Sequence, residues 1–213
     1  MQAVAAKRQR LPAREAKARI LEAAEKQLIE GGPSAVRVQV LARGLGITDA
    51  AIHHHFGNRE GLLAELLRSG GRRLRREVTR VISSWDDTGF DLGPLIDEIL
   101  HVLDDRGYGR LALQLAMAGQ ENKGRGFFDD FTEAVRVARR HQAEARGLPA
   151  PSEEDTRRRA ALFAATVFAE PVLGDAARRS VSAPSGKRAK AEYRRWLASA
   201  LRQMLLAPEV ESD

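Results

Sequence analysis

The chain has no cysteine in its 213 residues. Disulfide staples and thiolate chemistry are therefore excluded, and the composition suits a reducing cytoplasm. Aromatics are scarce at 5%, against 43% hydrophobic residues overall, so a core must be built largely from aliphatic side chains and alanine. No apolar run approaches the ~20 residues that a membrane span needs, and no membrane partner is expected. At the amino terminus Lys7, Arg8 and Arg10 follow a short stretch of small residues, the reverse of a signal peptide. That segment reads as a basic arm over residues 1–12, either lying on a polyanion or without a role. Glycine-rich phosphate loops and nucleophile elbows are missing. Glu98-x-x-His101 has the spacing of a di-iron ligand pair but no second copy. The run His53-His54-His55 offers adjacent helical positions that point ~100° apart and cannot chelate one ion together. No catalysis, metal or cofactor is expected.

Charge is unevenly spread. Residues 1–80 hold 16 Lys and Arg against 8 Asp and Glu, while residues 81–213 hold 19 against 21. The positive excess lies at one end, as a phosphate-neutralising surface would require. For Arg72, Arg73, Arg75 and Arg76 the alternative, that they solvate helix faces, stays open.

That basic end contains a patterned stretch. Val38, Leu41, Ala42 and Leu45 form one apolar stripe, leaving Arg37, Gln39 and Arg43 away from it. Gly46 can turn the chain sharply, and Thr48 supplies a hydroxyl cap for a second helix. Ile47, Ala51, Ile52 and Phe56 can pack that helix against the first. Asp49, Ala50, His53 and His54 are then left to face a major groove, so the pattern is a helix-turn-helix with a DNA-binding role. Asn58 caps a further helix.

With the preceding helix containing Arg19-Ile20-Leu21-Glu22-Ala23-Ala24, the turn at Gly31-Gly32, the segment Leu41-Ala42…Leu45-Gly46-Ile47-Thr48 and the run Ile52-His53-His54-His55-Phe56-Gly57-Asn58-Arg59-Glu60-Gly61-Leu62, the chain resembles the TetR family of bacterial transcriptional regulators over about 45 residues. The resemblance implies an all-α fold of about nine helices. A three-helix DNA-binding domain spans 13–60, a helical effector-binding and dimerisation domain spans 61–206, and a tail spans 207–213. It implies a homodimer on a palindromic DNA operator, acting as a repressor released by a small molecule. An architectural or ligand-independent DNA-binding dimer is the alternative. The DNA contacts it implies fall on Arg37, Gln39, Thr48, Asp49, Ala50, His53, His54 and Arg59, with His53 in place of a tyrosine and Arg59 in place of a lysine that meet phosphate. Val36 and Arg37 replace the hydroxyl residues that open the second helix, so Ser34 becomes the cap. Asp49 costs affinity unless it accepts from a cytosine amino group.

Beyond Asn58 the apolar pattern is helical throughout. The helix from Asn58 runs past Gly70-Gly71, which mark a bend or weak point, toward Trp85. Segments Leu92–Asp104, Tyr108–Gly119 and roughly Gly126–Arg146 follow. Ser152 then caps a helix reaching about Ser180 with a kink expected at Pro171, and Lys187–Leu206 is the last. The penultimate helix is apolar around most of its circumference, so it must be covered on more than one side. Ala161, Ala165 and Phe168, with Leu197, Leu201 and Met204 of the last helix, are the candidate dimer interface, an ordinary intrachain core being the alternative. For an effector pocket the resemblance points to Trp85, Leu103, Tyr108, Leu111, Gln114, Met117, Phe127, Phe128, Phe131 and Phe163. These are equally core residues by type. The few charges in that stretch favour a largely apolar effector.

Overall fold

The computed structural model describes residues 12–85, 90–119, 128–184 and 186–209, and these form nine α-helices, one 3₁₀ turn and one π turn without any strand. The expected basic arm, apart from Pro12, and the end of the tail lie outside the described residues. The chain divides into two compact units, one ending at Leu66 and one beginning at Leu67.

The first unit holds α1 (Ala13–Gly31), α2 (Val38–Leu45), α3 (Asp49–Phe56) and the start of α4 (Arg59–Ile82). Its core is aliphatic. Ile20, Ala24 and Leu28 of α1 are buried with Val36, Leu41, Ala42, Ile52, Leu62, Leu63 and Leu66. Gly46 ends α2 in the left-handed region, at φ 65° and ψ 34°, which an L side chain adopts only at a cost. Thr48 caps α3 by accepting from the Ala51 amide at 3.2 Å, and Asn58 accepts from the Gly61 amide at 2.7 Å. Ser34 does not cap α2. It lies in the 3₁₀ turn Pro33–Ala35, and Arg37, at the cap position, makes no side-chain cap bond. Val36 is in the core instead.

The second unit continues α4 and adds α5 (Gly93–Leu100), α6 (Tyr108–Met117), α7 (Asp129–Ala145), α8 (Glu153–Ser180) and α9 (Lys187–Leu206). The helix expected over Leu92–Asp104 closes early, and His101–Asp105 form a π turn. No break occurs at Gly70-Gly71, since α4 is continuous from Arg59 to Ile82. A Cβ on Gly70 would sit 2.3 Å from the Tyr108 ring, so this glycine permits close packing. Helix α8 likewise persists through Pro171, opposite Gly109, where a Cβ would lie 2.9 Å from the proline ring. Ser152 caps α8 by accepting from the Asp155 amide at 3.2 Å.

Arginines tie this unit together. Arg139 donates to Thr156 at 2.7 Å and to Asp155 at 2.5 Å, and Arg159 donates to the same Asp155 carboxylate at 2.7 Å. Arg159 also reaches the carbonyls of Met204 and, at 2.8 Å, Pro208. The first residues of the expected tail are thereby docked, and Glu209 accepts from the Ser152 amide at 3.0 Å. Burial opposes ionisation of Asp155, but the hydrogen bonds from Arg159 and Arg139 outweigh it and hold this carboxyl below its ordinary range.

By length and composition α8 could cross a membrane, contrary to the expectation that no segment would: its most apolar stretch has a mean hydropathy of 1.4. Phe163 and Val167 bury one side of it, yet 28% of that stretch is buried in the single chain. A large apolar surface stays open.

Candidate nucleic-acid interface

Helices α2 and α3 meet through Leu41, Ala42 and Ile52, and the glycine turn sets the angle between them. Ile52 is fully buried, which turns the preceding and following positions of α3 outward. Ala50, His53 and His54 are exposed, as are Thr48 at the cap and Arg37 and Gln39 on the first half of the motif. Asp49 is half-buried in the first turn of α3, where the positive end of the helix dipole favours a carboxylate. The structure thus brings seven of the eight expected contact residues to the motif's helices and cap. Arg43 is exposed there too. Ile47 does not pack as the stripe suggests, being 38% exposed, and Val40 is 50% exposed. Val40 lies outside the expected stripe, and Ile47 had no local signal because it lies between Gly46 and Thr48, where no helical register applies.

Arg59 is placed differently. Its Nε donates to the Val36 carbonyl at 2.9 Å and its Nη2 to the Pro33 carbonyl at 2.6 Å. Much of the guanidinium is occupied by the backbone of the turn before α2, and this side chain fixes where α2 begins. His53 donates from Nδ1 to the Gly57 carbonyl at 2.9 Å, at the end of α3.

In the second unit the expected effector residues separate. Trp85, Phe128, Phe131 and Phe163 form one aromatic cluster, with Phe131 and Phe163 stacked at 4.3 Å and Phe128 edge-on to both. Phe90 joins it against Trp85 at 4.5 Å. Leu103, Tyr108 and Leu111 are buried, Tyr108 against Gly70. Gln114 and Met117 are exposed, the latter at 81%, and Phe127 lies outside the described residues. A half-open cavity of about 530 Å³ lies elsewhere, between the end of α7, the Leu148–Pro151 loop and the chain after Leu206. Among the described residues no cluster of three metal-capable side chains occurs.

The interface candidates separate as well. Ala161, Ala165 and Phe168 lie exposed on α8, where Leu162 and Leu173 extend the same apolar surface. Leu197 and Leu201 are buried in the chain's own core and Met204 is half-buried, whereas Trp196, a large apolar side chain on α9, is 61% exposed. Helical periodicity identified the apolar stripe of α9 but not what covers it.

Residues 20–66 match the family described as bacterial regulatory proteins, tetR family. No curated protein matches the chain in sequence. Among solved structures, a TetR-family transcriptional regulator from Mesorhizobium loti is 17% identical, with 94% of this chain and all of that one covered at a TM-score of 0.60. The fatty acid degradation regulator FadR from Bacillus halodurans is 17% identical over 96% of this chain and all of its own, with a TM-score of 0.58. The regulator AibR, solved with isovaleryl coenzyme A and operator DNA, is 20% identical over 91% of this chain and 99% of its own, with a TM-score of 0.52. At these identities the likenesses show a common fold.

Proposed function

Because the chain carries the tetR-family regulatory domain at residues 20–66 and has the fold of those regulators along its length, we propose that it is a transcriptional regulator that binds duplex DNA as a homodimer. The observation that carries this reading is the exposed row Thr48, Ala50, His53 and His54 on a capped helix whose opposite side is buried. A helix presented in this way fits a major groove, and the charge excess at the same end of the chain supplies phosphate contacts. Two copies place two such helices about one DNA turn apart, so the operator is a palindrome. Exposed apolar surface on α8, with Ala161, Leu162, Ala165 and Phe168, supports self-association there.

In this reading the protein is a repressor, and a small, largely apolar effector releases it. The aromatic cluster around Phe131 supports an apolar effector, and the isovaleryl coenzyme A bound in the AibR structure supports a small-molecule input in general. The chain binds and does not catalyse.

Selection from a random duplex library tests the DNA reading. One enriched palindrome, bound with a steep salt dependence and a large ratio over unrelated duplex, is expected. Equal affinity for all sequences would favour the architectural alternative.

A further inference from the structure

The contact between His53 and Gly57 fixes more than a side-chain rotamer. A carbonyl oxygen only accepts, so the Nδ1 that lies 2.9 Å from the Gly57 oxygen carries the ring hydrogen. In the neutral ring Nε2 is then a bare lone pair. His53 is exposed, and among the described residues the Gly57 carbonyl is its one hydrogen-bond partner. DNA phosphates are acceptors. A neutral His53 therefore presents acceptor to acceptor, whereas the imidazolium donates from both nitrogens and keeps its bond to Gly57.

Position favours phosphate over a base edge. Recognition helices read bases chiefly with their N-terminal residues. His53 is instead in the last turn of α3, beside the Gly57 turn, where φ is +78° and the chain leaves the helix. The last turn of a helix also accommodates a cation. Charged and titratable groups on α3 and on the elements next to it include Asp49, His54 and His55 on α3, Arg37 and Arg43 on α2 and its head, Arg59 and Glu60 at the start of α4, and Lys17 of α1, which lies over the Phe56 ring. Lys17 is engaged with Glu65 and the Phe56 ring, and Arg59 with the Pro33 and Val36 carbonyls. None of these groups bonds to His53.

We propose that His53 contacts a DNA phosphate as the imidazolium, so that binding of duplex DNA is coupled to protonation of each α3. The inference rests on the DNA-binding reading above and adds a residue that sets its strength. Affinity then rises as pH falls, by up to about tenfold per pH unit for each proton taken up. The salt slope steepens by about one for each phosphate that an imidazolium engages.

The test uses the full chain and a duplex enriched by selection, at fixed salt between about pH 8 and pH 6. Wild type should tighten on acidification, and calorimetry in buffers of different ionisation enthalpy should show proton uptake. His53→Gln should lose that slope while His54→Gln keeps it. His53→Lys should bind tightly with no slope from this position. Methylphosphonate replacement of one phosphate in each half-site should abolish the wild-type slope without any protein variant, which keeps the test independent of folding. An unchanged slope in His53→Gln, or one that survives neutralisation of every phosphate in turn, overturns the proposal; the latter result would assign the protonated Nε2 to a base acceptor such as a purine N7. Absence of duplex binding at any pH would overturn the regulator reading and this inference together.

Discussion

The unit ending at Leu66 closes its helix starts with local caps and uses one long-range arginine, Arg59, whereas the unit beginning at Leu67 converges two arginines from distant segments on one carboxylate. Thr48 and Asn58 each close a helix start three residues away. Arg139 and Arg159, by contrast, converge on Asp155 and on carbonyls up to 68 residues away. Each unit is accordingly vulnerable in its own way. Local caps each contribute about 1 kcal/mol and fail singly. A shared carboxylate fails all at once.

Asp155→Ala should therefore have the largest effect. It leaves two buried guanidinium groups without their common anion and should cost about 3–5 kcal/mol, read by denaturant unfolding of the second unit. The pH dependence has a definite sign. A carboxyl held below its unfolded value contributes stability above that value and loses it as pH falls through the folded one. Stability of this unit should thus drop on acidification below about pH 4, and Asp155→Asn should remove that part of the drop. An unchanged acid limb in Asp155→Asn would place the acid sensitivity in another carboxylate.

The assembly surface poses a second contrast, inside the second unit itself. Leu201 is buried in the chain and Ala165 is not. Leu201→Ala should cost about 2–5 kcal/mol of folding stability. Ala165→Asp should leave folding nearly untouched and yield monomers in sedimentation, with loss of tight binding to a palindromic duplex. Monomers from neither variant would move the interface away from α8.

In the first unit the arginine device occurs at Arg59, and breaking it should be milder. Arg59→Met removes two charge-assisted bonds to the Pro33 and Val36 carbonyls, a loss of about 2–3 kcal/mol. DNA binding should fall with the folded fraction of this unit and recover on cooling. If Arg59→Met folds as wild type yet binds every duplex more weakly, the side chain acts on phosphate after all.

Which features were legible in the sequence follows from the reach of the interactions. Gly46, Thr48, Asn58 and Ser152 act on neighbours within a few residues, so their residue types announced the turn and the three caps. Ile52 and Leu41 were legible through period, because a stripe that recurs every third or fourth residue has one buried side. Arg59 was not, since its partners are 23 and 26 residues upstream and a cation after a histidine run reads as a phosphate contact. Leu197 and Leu201 show a related limit. Period tells which side of α9 is covered, and only the fold tells whether the chain or its partner covers it. Residue type was silent in the same way about Gln114 and Met117, which lie exposed.

The smallest expected effect tests the reading of α4. Gly70 and Gly71 are adjacent in the sequence and sit in one unbroken helix, where either would ordinarily cost about 0.5–1 kcal/mol relative to alanine. Their surroundings differ. A Cβ on Gly71 meets nothing within 4 Å, while one on Gly70 meets the Tyr108 ring at 2.3 Å. Gly71→Ala should therefore raise stability by about 0.5–1 kcal/mol through helix propensity and a less flexible unfolded chain. Gly70→Ala should lower it, because the ring or the helix must shift, and combining it with Tyr108→Leu should recover part of the loss. Thermal unfolding of the three variants decides the matter. Equal gains at both glycines would mean that Tyr108 does not pack on α4. Equal losses would revive a flexible joint at this pair, with backbone freedom and not the ring as the reason both glycines are there.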